Sequence, residues 1–72
     1  MKKFQEYLDN DGVKRISVTN VHTPFFDVVS DGIKEIEVTK QQFMILLQYF
    51  NGKYYNHKDN SIMGIVLIPD FN

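Results

Sequence analysis

The stretch VTKQQFMILLQYFNG, residues 38–52, decides the fold of this chain because it carries the signals for both ends of a helix. Thr39 and Gln42 form a capping box, in which the side chain of each accepts a hydrogen bond from the backbone N–H of the other. Asn51-Gly52 supplies the left-handed residue that ends many helices. The apolar residues between these signals recur at i, i+3, i+4 and i+7, at Phe43, Leu46, Leu47 and Phe50, and Met44 and Ile45 widen this stripe. We therefore predict one main helix over residues 40–50, more than half buried.

Strand patterns precede this helix. Residues 13–19 alternate apolar and polar side chains and are rich in β-branched residues, which favours a strand. Residues 25–30 and 33–39 carry similar patterns and flank Asp31-Gly32, a dipeptide typical of tight hairpin turns. The sequence therefore predicts a β-hairpin from these two segments.

Further strands follow the helix, over residues 53–56 and 62–68. Residues 2–8 place apolar side chains at helical spacing, and we predict a possible short N-terminal helix there, with an alternating strand as the alternative. The expected fold is a single α+β domain over residues 1–72. In it, a small antiparallel sheet of four to five strands packs on the helix at 40–50.

Composition narrows the class of protein. Eight Lys+Arg against nine Asp+Glu give a net charge of −1, which creates no broad field for nucleic acid or an anionic membrane. The lack of cysteine excludes disulfides, thiolate metal sites and thiol nucleophiles. The longest uncharged apolar run, IMGIVLI, is far shorter than the roughly 20 residues of a membrane helix. No apolar signal-peptide segment follows the first lysines, so we predict a cytoplasmic protein.

Amino-acid usage also indicates the source. The chain has no alanine and one arginine, and 33 of its 72 residues are Phe, Tyr, Met, Ile, Asn or Lys. Those six residue types have AT-rich codons, which indicates a low-GC genome. We expect a low-GC bacterium, its phage or its plasmid.

Catalytic and metal-binding patterns are weak. A metal site would need His22 and His57 to meet with carboxylates such as Asp27 or Asp59, and their spacing matches no ligand motif. No nucleophile, base and orienting group occur at a spacing that indicates a catalytic arrangement. We therefore predict a protein without enzymatic activity, cofactor or metal ion.

The run IMGIVLIP, residues 62–69, carries the main functional inference. Read as one strand, it is apolar on both faces, which is typical of strands covered on both sides. One main helix covers one face, so we expect a homodimer through the sheet or a partner protein to cover the other. The alternative is that the N-terminal segment and the tail at 69–72, with Phe71, cover it within the chain. The predicted partner-binding residues are Phe25, Tyr49, Lys53, Tyr54, Tyr55, His57, Met63, Ile65 and Leu67.

The chain resembles the small inhibitors that phages and plasmids make against host enzymes. Residues 38–52, a capped apolar helix with an inward phenylalanine, are similar to a segment of the uracil-DNA glycosylase inhibitors of some Bacillus phages, although those proteins are more acidic. That resemblance implies strands around one helix in a dimer. Anti-CRISPR proteins are a second group of the same type. The expected function is therefore non-catalytic inhibition of a host enzyme, such as a defence nuclease or uracil-DNA glycosylase, in evasion of host defence.

A small nucleic-acid-binding module is the alternative function. The stretch KYYNHK, residues 53–58, mixes cations with rings on which bases could stack. Lys53, Tyr54, Tyr55 and Lys58 would carry that binding. Adjacent tyrosines on a strand point to opposite faces, so at most one of the two would join a stacking surface.

Overall fold

A computed structural model describes residues 1–70 of the chain. They form three helices and four strands, in the order α1 Phe4–Asn10, α2 His22–Ser30, β1 Glu35–Val38, α3 Lys40–Phe50, β2 Tyr55–Asn56, β3 Ser61–Ile62 and β4 Ile65–Pro69. The strands make one sheet in the order β1-β4-β3-β2. The α+β class and the four-stranded sheet are confirmed.

Helix α3 forms as its capping signals predict. The Thr39 hydroxyl accepts from the Gln42 N–H at 3.2 Å, and the Gln42 side chain accepts from the Thr39 N–H at 3.0 Å. Asn51 ends the helix in the left-handed conformation at φ 54°. Leu46 and Phe50 of the apolar stripe are buried, together with Gln42, whereas Phe43 and Leu47 are half-buried. The buried face of α3 is therefore rotated toward Gln42 relative to the predicted apolar stripe.

Residues 25–30 belong to a helix, so the predicted hairpin with residues 33–39 is wrong. Val21, Phe25 and Val28 recur at i, i+4 and i+7 and are all fully buried, which gives α2 a core-facing stripe. Pro24 lies in the first turn, where its missing N–H costs no hydrogen bond. Gly32 takes φ 71° and serves as the left-handed residue after the helix rather than as part of a hairpin turn.

The predicted strand over residues 13–19 is also wrong, because side-chain hydrogen bonds hold this segment as a loop. The Asn20 side chain accepts from the Ser17 N–H at 2.7 Å and donates to the Arg15 carbonyl at 2.6 Å. Such local bonds from asparagine give the backbone an alternative to a strand ladder. The β-branched residues Val13 and Val18 are half-buried in this loop.

The sheet is mixed rather than fully antiparallel. Strand β1 pairs with β4 in parallel, with Ile36 opposite Leu67, while β4, β3 and β2 pair antiparallel. The predicted strand over residues 62–68 is two strands of a hairpin. Met63 and Gly64 form its turn with φ 50° and 81°, the two positive angles of the tight turn that suits a hairpin.

The N-terminal segment contributes more than the short helix that was expected. Phe4, Tyr7 and Leu8 of α1 are buried. Ahead of the helix, Lys3 forms a parallel bridge with Glu37, and the Glu37 N–H donates to the Lys2 carbonyl at 2.9 Å. Residues 2–3 thus lie along the outer edge of β1.

The helices cover one face of the sheet, which we call the inner face. Its residues are at most 3% exposed and share one core with the helices: Ile36, Val38, Ile62, Ile65 and Leu67. The alternate positions form the outer face, which carries two carboxylates and two half-buried apolar side chains: Glu35, Glu37, Val66 and Ile68. The apolar surface left uncovered on the sheet is therefore smaller than the run IMGIVLIP indicated. Phe71, proposed above as part of a cover, lies outside the described residues.

Candidate interaction surface

Four aromatic rings surround Phe50 where α2 meets the end of α3. Their centroids lie 5.0 to 6.4 Å from that of Phe50, and all four rings are tilted steeply against it: Phe25, Phe26, Tyr49 and Tyr54. Edge-to-face pairs of this kind add about 0.5–1.5 kcal/mol each beyond the area they bury. Phe25 is fully buried and forms the base of the cluster.

The outer part of this cluster is accessible to a partner. Phe26 is 45% exposed and Tyr54 is 51% exposed, and both contact the ring of buried Phe50. Val29 is 39% exposed and lies one turn after Phe26 on α2. We call this surface the aromatic patch; it comprises His22, Phe26, Val29, Tyr49, Phe50, Lys53 and Tyr54.

Two local features build the aromatic patch. His22, Phe26 and Val29 recur at i, i+4 and i+7, so α2 carries a second stripe beside the one that faces the core. After α3, the turn at Asn51 reverses the chain, and the Lys53 N–H donates to the Phe50 carbonyl at 2.9 Å. This reversal places the Tyr54 ring against Phe50.

The rim of the patch is polar. The His22 ring stacks on Tyr49 with centroids 5.7 Å apart and planes 19° apart. The Lys53 ammonium lies 5.6 Å from the centroid of the Tyr54 ring, close enough for cation–π attraction. Aromatic side chains at the centre of a patch and polar groups at its rim are common in protein-binding surfaces.

The predicted partner-binding residues fall into separate places. Tyr49, Lys53 and Tyr54 belong to the aromatic patch. Tyr55 turns the other way, toward Phe43, and its hydroxyl donates to Asn60. The remaining residues lie in the β2–β3 loop, in the Met63-Gly64 turn or in the core: His57, Met63, Phe25, Ile65 and Leu67. The last three are unavailable to a partner because helices or strands of the chain cover them.

Phe50 was predicted as a core residue of the main helix, and three further patch residues were not predicted as part of a binding surface: His22, Phe26 and Val29. The signal for them is the helical spacing over residues 21–29, which the strand interpretation of residues 25–30 concealed. Within residues 1–70, no three His, Asp or Glu side chains lie together in a way that would hold a metal ion. The described residues also include no helix long and apolar enough to cross a membrane.

Acidic side chains collect where α1 and α2 end. The Tyr7 hydroxyl donates to Asp31 at 2.7 Å, and burial together with this carboxylate raises the pKa of Tyr7 to about 12. A hydrogen bond between the carboxyl groups of Asp11 and Asp27, with some desolvation, raises the pKa of Asp11. When both carboxyl groups are ionised, this pair is repulsive.

Asp11→Asn is expected to stabilise the protein at neutral pH. A carboxyl group whose pKa is raised on folding stabilises the folded state at low pH, and that contribution is lost as the pH rises through the raised pKa. The amide removes the repulsion and can still donate to Asp27. Thermal melts should show a higher midpoint for the variant at pH 7, and the difference should vanish below the ordinary aspartate pKa of about 3.9.

Asp9→Asn is the matched control, since it removes the same charge from an exposed position that accepts from Gln5 instead. An equal gain from both variants would mean that net charge, not the Asp11–Asp27 pair, sets the stability.

The comparisons identify no relatives. No protein-family model, no curated protein and no solved structure matches this chain. The aromatic patch therefore has to be interpreted from its own geometry.

Proposed function

We propose that this chain is a non-catalytic protein-binding module that docks a partner through the aromatic patch. The observation that carries this proposal is the exposure of Phe26, Val29 and Tyr54 around a buried ring. Exposed aromatic side chains held rigidly by their neighbours lose little conformational freedom on binding, which is why tyrosine is enriched among binding hot spots.

The proposed biological role is inhibition of a host enzyme by occlusion, on behalf of a phage or other mobile element. A defence nuclease, as for anti-CRISPR proteins, or uracil-DNA glycosylase would be such a target. An occluding inhibitor needs surface rather than catalytic groups. A standard interface takes about 800 Å² from each partner, roughly a sixth of the 4727 Å² of this molecule. The AT-rich amino-acid usage supports the same role, whereas the three helices of the fold differ from the strands around one helix that the resemblance of residues 38–52 to the phage inhibitors implied.

The aromatic patch fits a partner better than the outer face of the sheet does. A homodimer through the outer face would bring Glu35 and Glu37 of two copies together, and like charges placed opposite each other are destabilising. The exposed side chains of the patch are apolar or aromatic around one cation. A homodimer through the patch is a possible outcome of the test below.

Nucleic-acid binding has less support from the geometry. Lys53 and Tyr54 lie together, but Tyr55 packs on the other side and Lys58 follows in the β2–β3 loop. The patch rings contact Phe50 edge-to-face, whereas single-stranded nucleic acid needs open ring faces beside a track of cations. The test includes this alternative.

A photocross-linking amino acid, placed in turn at position 54, at position 26 and at a control position, tests the proposal in the cells that carry the gene. We expect one protein adduct at Tyr54 and at Phe26, and none at Glu35, which is exposed on the outer face of the sheet. The captured protein, once purified, should bind the parent chain. It should bind Phe26→Ala/Tyr54→Ala at least about a hundredfold more weakly, because hot-spot truncations often cost 2 kcal/mol or more each.

Three outcomes would overturn the proposal: adducts only with nucleic acid, equal adducts at all three positions, or undiminished affinity of a folded double variant. A chain that cross-links to its own copy would identify the partner as a second copy. The control for folding is a cooperative thermal melt of the double variant, with a midpoint lowered by the loss of its two edge-to-face contacts with Phe50.

A further inference from the structure

A groove lies between α1, the loop at residues 13–20 and the start of α3. It consists of two adjoining depressions of about 340 and 260 Å³ that share Gln5, Ile16 and Gln41. Leu8, Val13 and Ile16 supply apolar lining, and three cations stand along its walls: Lys14, Arg15 and Lys40.

The cations of the groove are available to a ligand. All three are exposed, and within residues 1–70 no ion pair joins any of them to an acidic side chain. Asp70 lines one of the two depressions, while the other, with Lys14 and Arg15, is lined by no acidic residue. The groove therefore has a local positive charge in a molecule whose net charge is −1.

The groove and the aromatic patch lie toward opposite ends of the same side of α3. Gln41, which lines the groove, is followed at i+4 and i+8 by Ile45 and by Tyr49 of the patch. Side chains at this spacing follow one face of a helix. Eight residues at 1.5 Å rise place the two sites roughly 12 Å apart along the helix axis, a span that one partner can cover.

We propose that this groove binds an acidic segment of the partner protein, with carboxylates beside Lys14, Arg15 and Lys40. This inference rests on the proposed function and adds to it the charge of the partner. The partner would carry an apolar anchor that binds the patch and, about 12 Å away, an acidic stretch that binds the groove. Complementary charge of this kind sets the register of the complex and speeds association.

Isolated carboxylates fit the groove better than a nucleic-acid backbone. A polyanion gains affinity by releasing counterions along a run of contacted phosphates. Here the cations are interrupted by Asp70, and Asp9 adjoins the groove through its hydrogen bond with Gln5. Those acidic groups would repel a continuous line of phosphates but leave room for separate carboxylates.

Binding of a capped nonapeptide of alternating serine and glutamate to the whole chain tests this inference by amide chemical shifts. We expect saturable shifts at Lys14, Arg15, Ile16 and Gln41, weakening with added salt. The control peptide, which has glutamine in place of each glutamate, should produce no chemical-shift changes. Lys14→Glu/Arg15→Glu should lower the affinity about tenfold or more. Lys34→Glu/Lys58→Glu changes the net charge by the same amount outside the groove and should leave the affinity for the peptide unchanged.

Equal losses in the two charge-reversal variants would overturn the inference, as would shifts outside the groove or no binding at low salt. Tighter binding of an oligothymidine of equal length at the same residues would replace the acidic segment with nucleic acid. The patch variant Phe26→Ala/Tyr54→Ala should keep peptide binding. Failure of the groove is thereby distinguished from failure of the patch.

Discussion

Phe25→Ala is expected to destabilise the domain by about 3–5 kcal/mol, enough to unfold much of a protein this small. Phe25 is fully buried and packs edge-to-face on Phe4 and on Phe50, at 6.1 and 5.3 Å between centroids. It therefore joins α1, α2 and α3 in one core. Its removal leaves a cavity at the junction of three elements, which a small scaffold has few means to close. Thermal and denaturant unfolding measure the loss.

Neighbouring residues provide the control and test the helical assignment of residues 22–30. In a helix Val28 shares the buried face of Phe25, whereas in a strand Val29 would share it. Val28→Ala should cost about 1.6 kcal/mol, from two buried methyl groups at about 0.8 kcal/mol each, and Val29→Ala much less. A larger loss from Val29→Ala than from Val28→Ala would contradict the helix.

Leu67→Lys is expected to prevent folding, while Val66→Lys leaves the fold intact. Leu67 is 1% exposed on the inner face, so lysine there would bury a charge without a partner, at a cost of several kcal/mol or more. Val66 lies on the outer face opposite Glu35 in the parallel register, where a lysine remains solvated. Its ammonium can pair with the glutamate across the strands, a contact of about 0.2–1 kcal/mol.

Circular dichroism and thermal melts of the two variants decide this point. The opposite result, a folded Leu67→Lys and an unfolded Val66→Lys, would invert the assignment of inner and outer faces. Loss of folding in both variants would mean that both faces are covered within the chain.

The signals for the two ends of α3, which act within one turn of the backbone, were read correctly from the sequence. The capping box at Thr39 and Gln42 and the left-handed Asn51 specify α3 by hydrogen bonds among neighbours. The hairpin prediction from Asp31-Gly32 was wrong because its glycine is compatible with two different turns. A left-handed glycine ends a helix as readily as it closes a hairpin, and the choice depends on whether Phe25 and Val28 pack together.

Long-range pairing could not be obtained from local patterns. Parallel pairing of β1 with β4 joins segments about 30 residues apart, and the Met63-Gly64 turn lacks the Asn-Gly or Asp-Gly that indicates such a turn. Of the aromatic patch, Tyr49, Lys53 and Tyr54 were predicted from their clustering in the sequence. Phe26 and Val29 could be found only once α2 was known to be a helix.

The bridge between Lys3 and Glu37 has a consequence for how copies of this protein behave when concentrated. An open strand edge invites another chain to add its own strand, and the pairing can repeat into aggregates. Residues 2–3 occupy that edge of β1, and at the far side of the sheet β2 is only two residues long. The chain thus exposes the aromatic patch while the edges of its sheet offer little free backbone to which another strand could add.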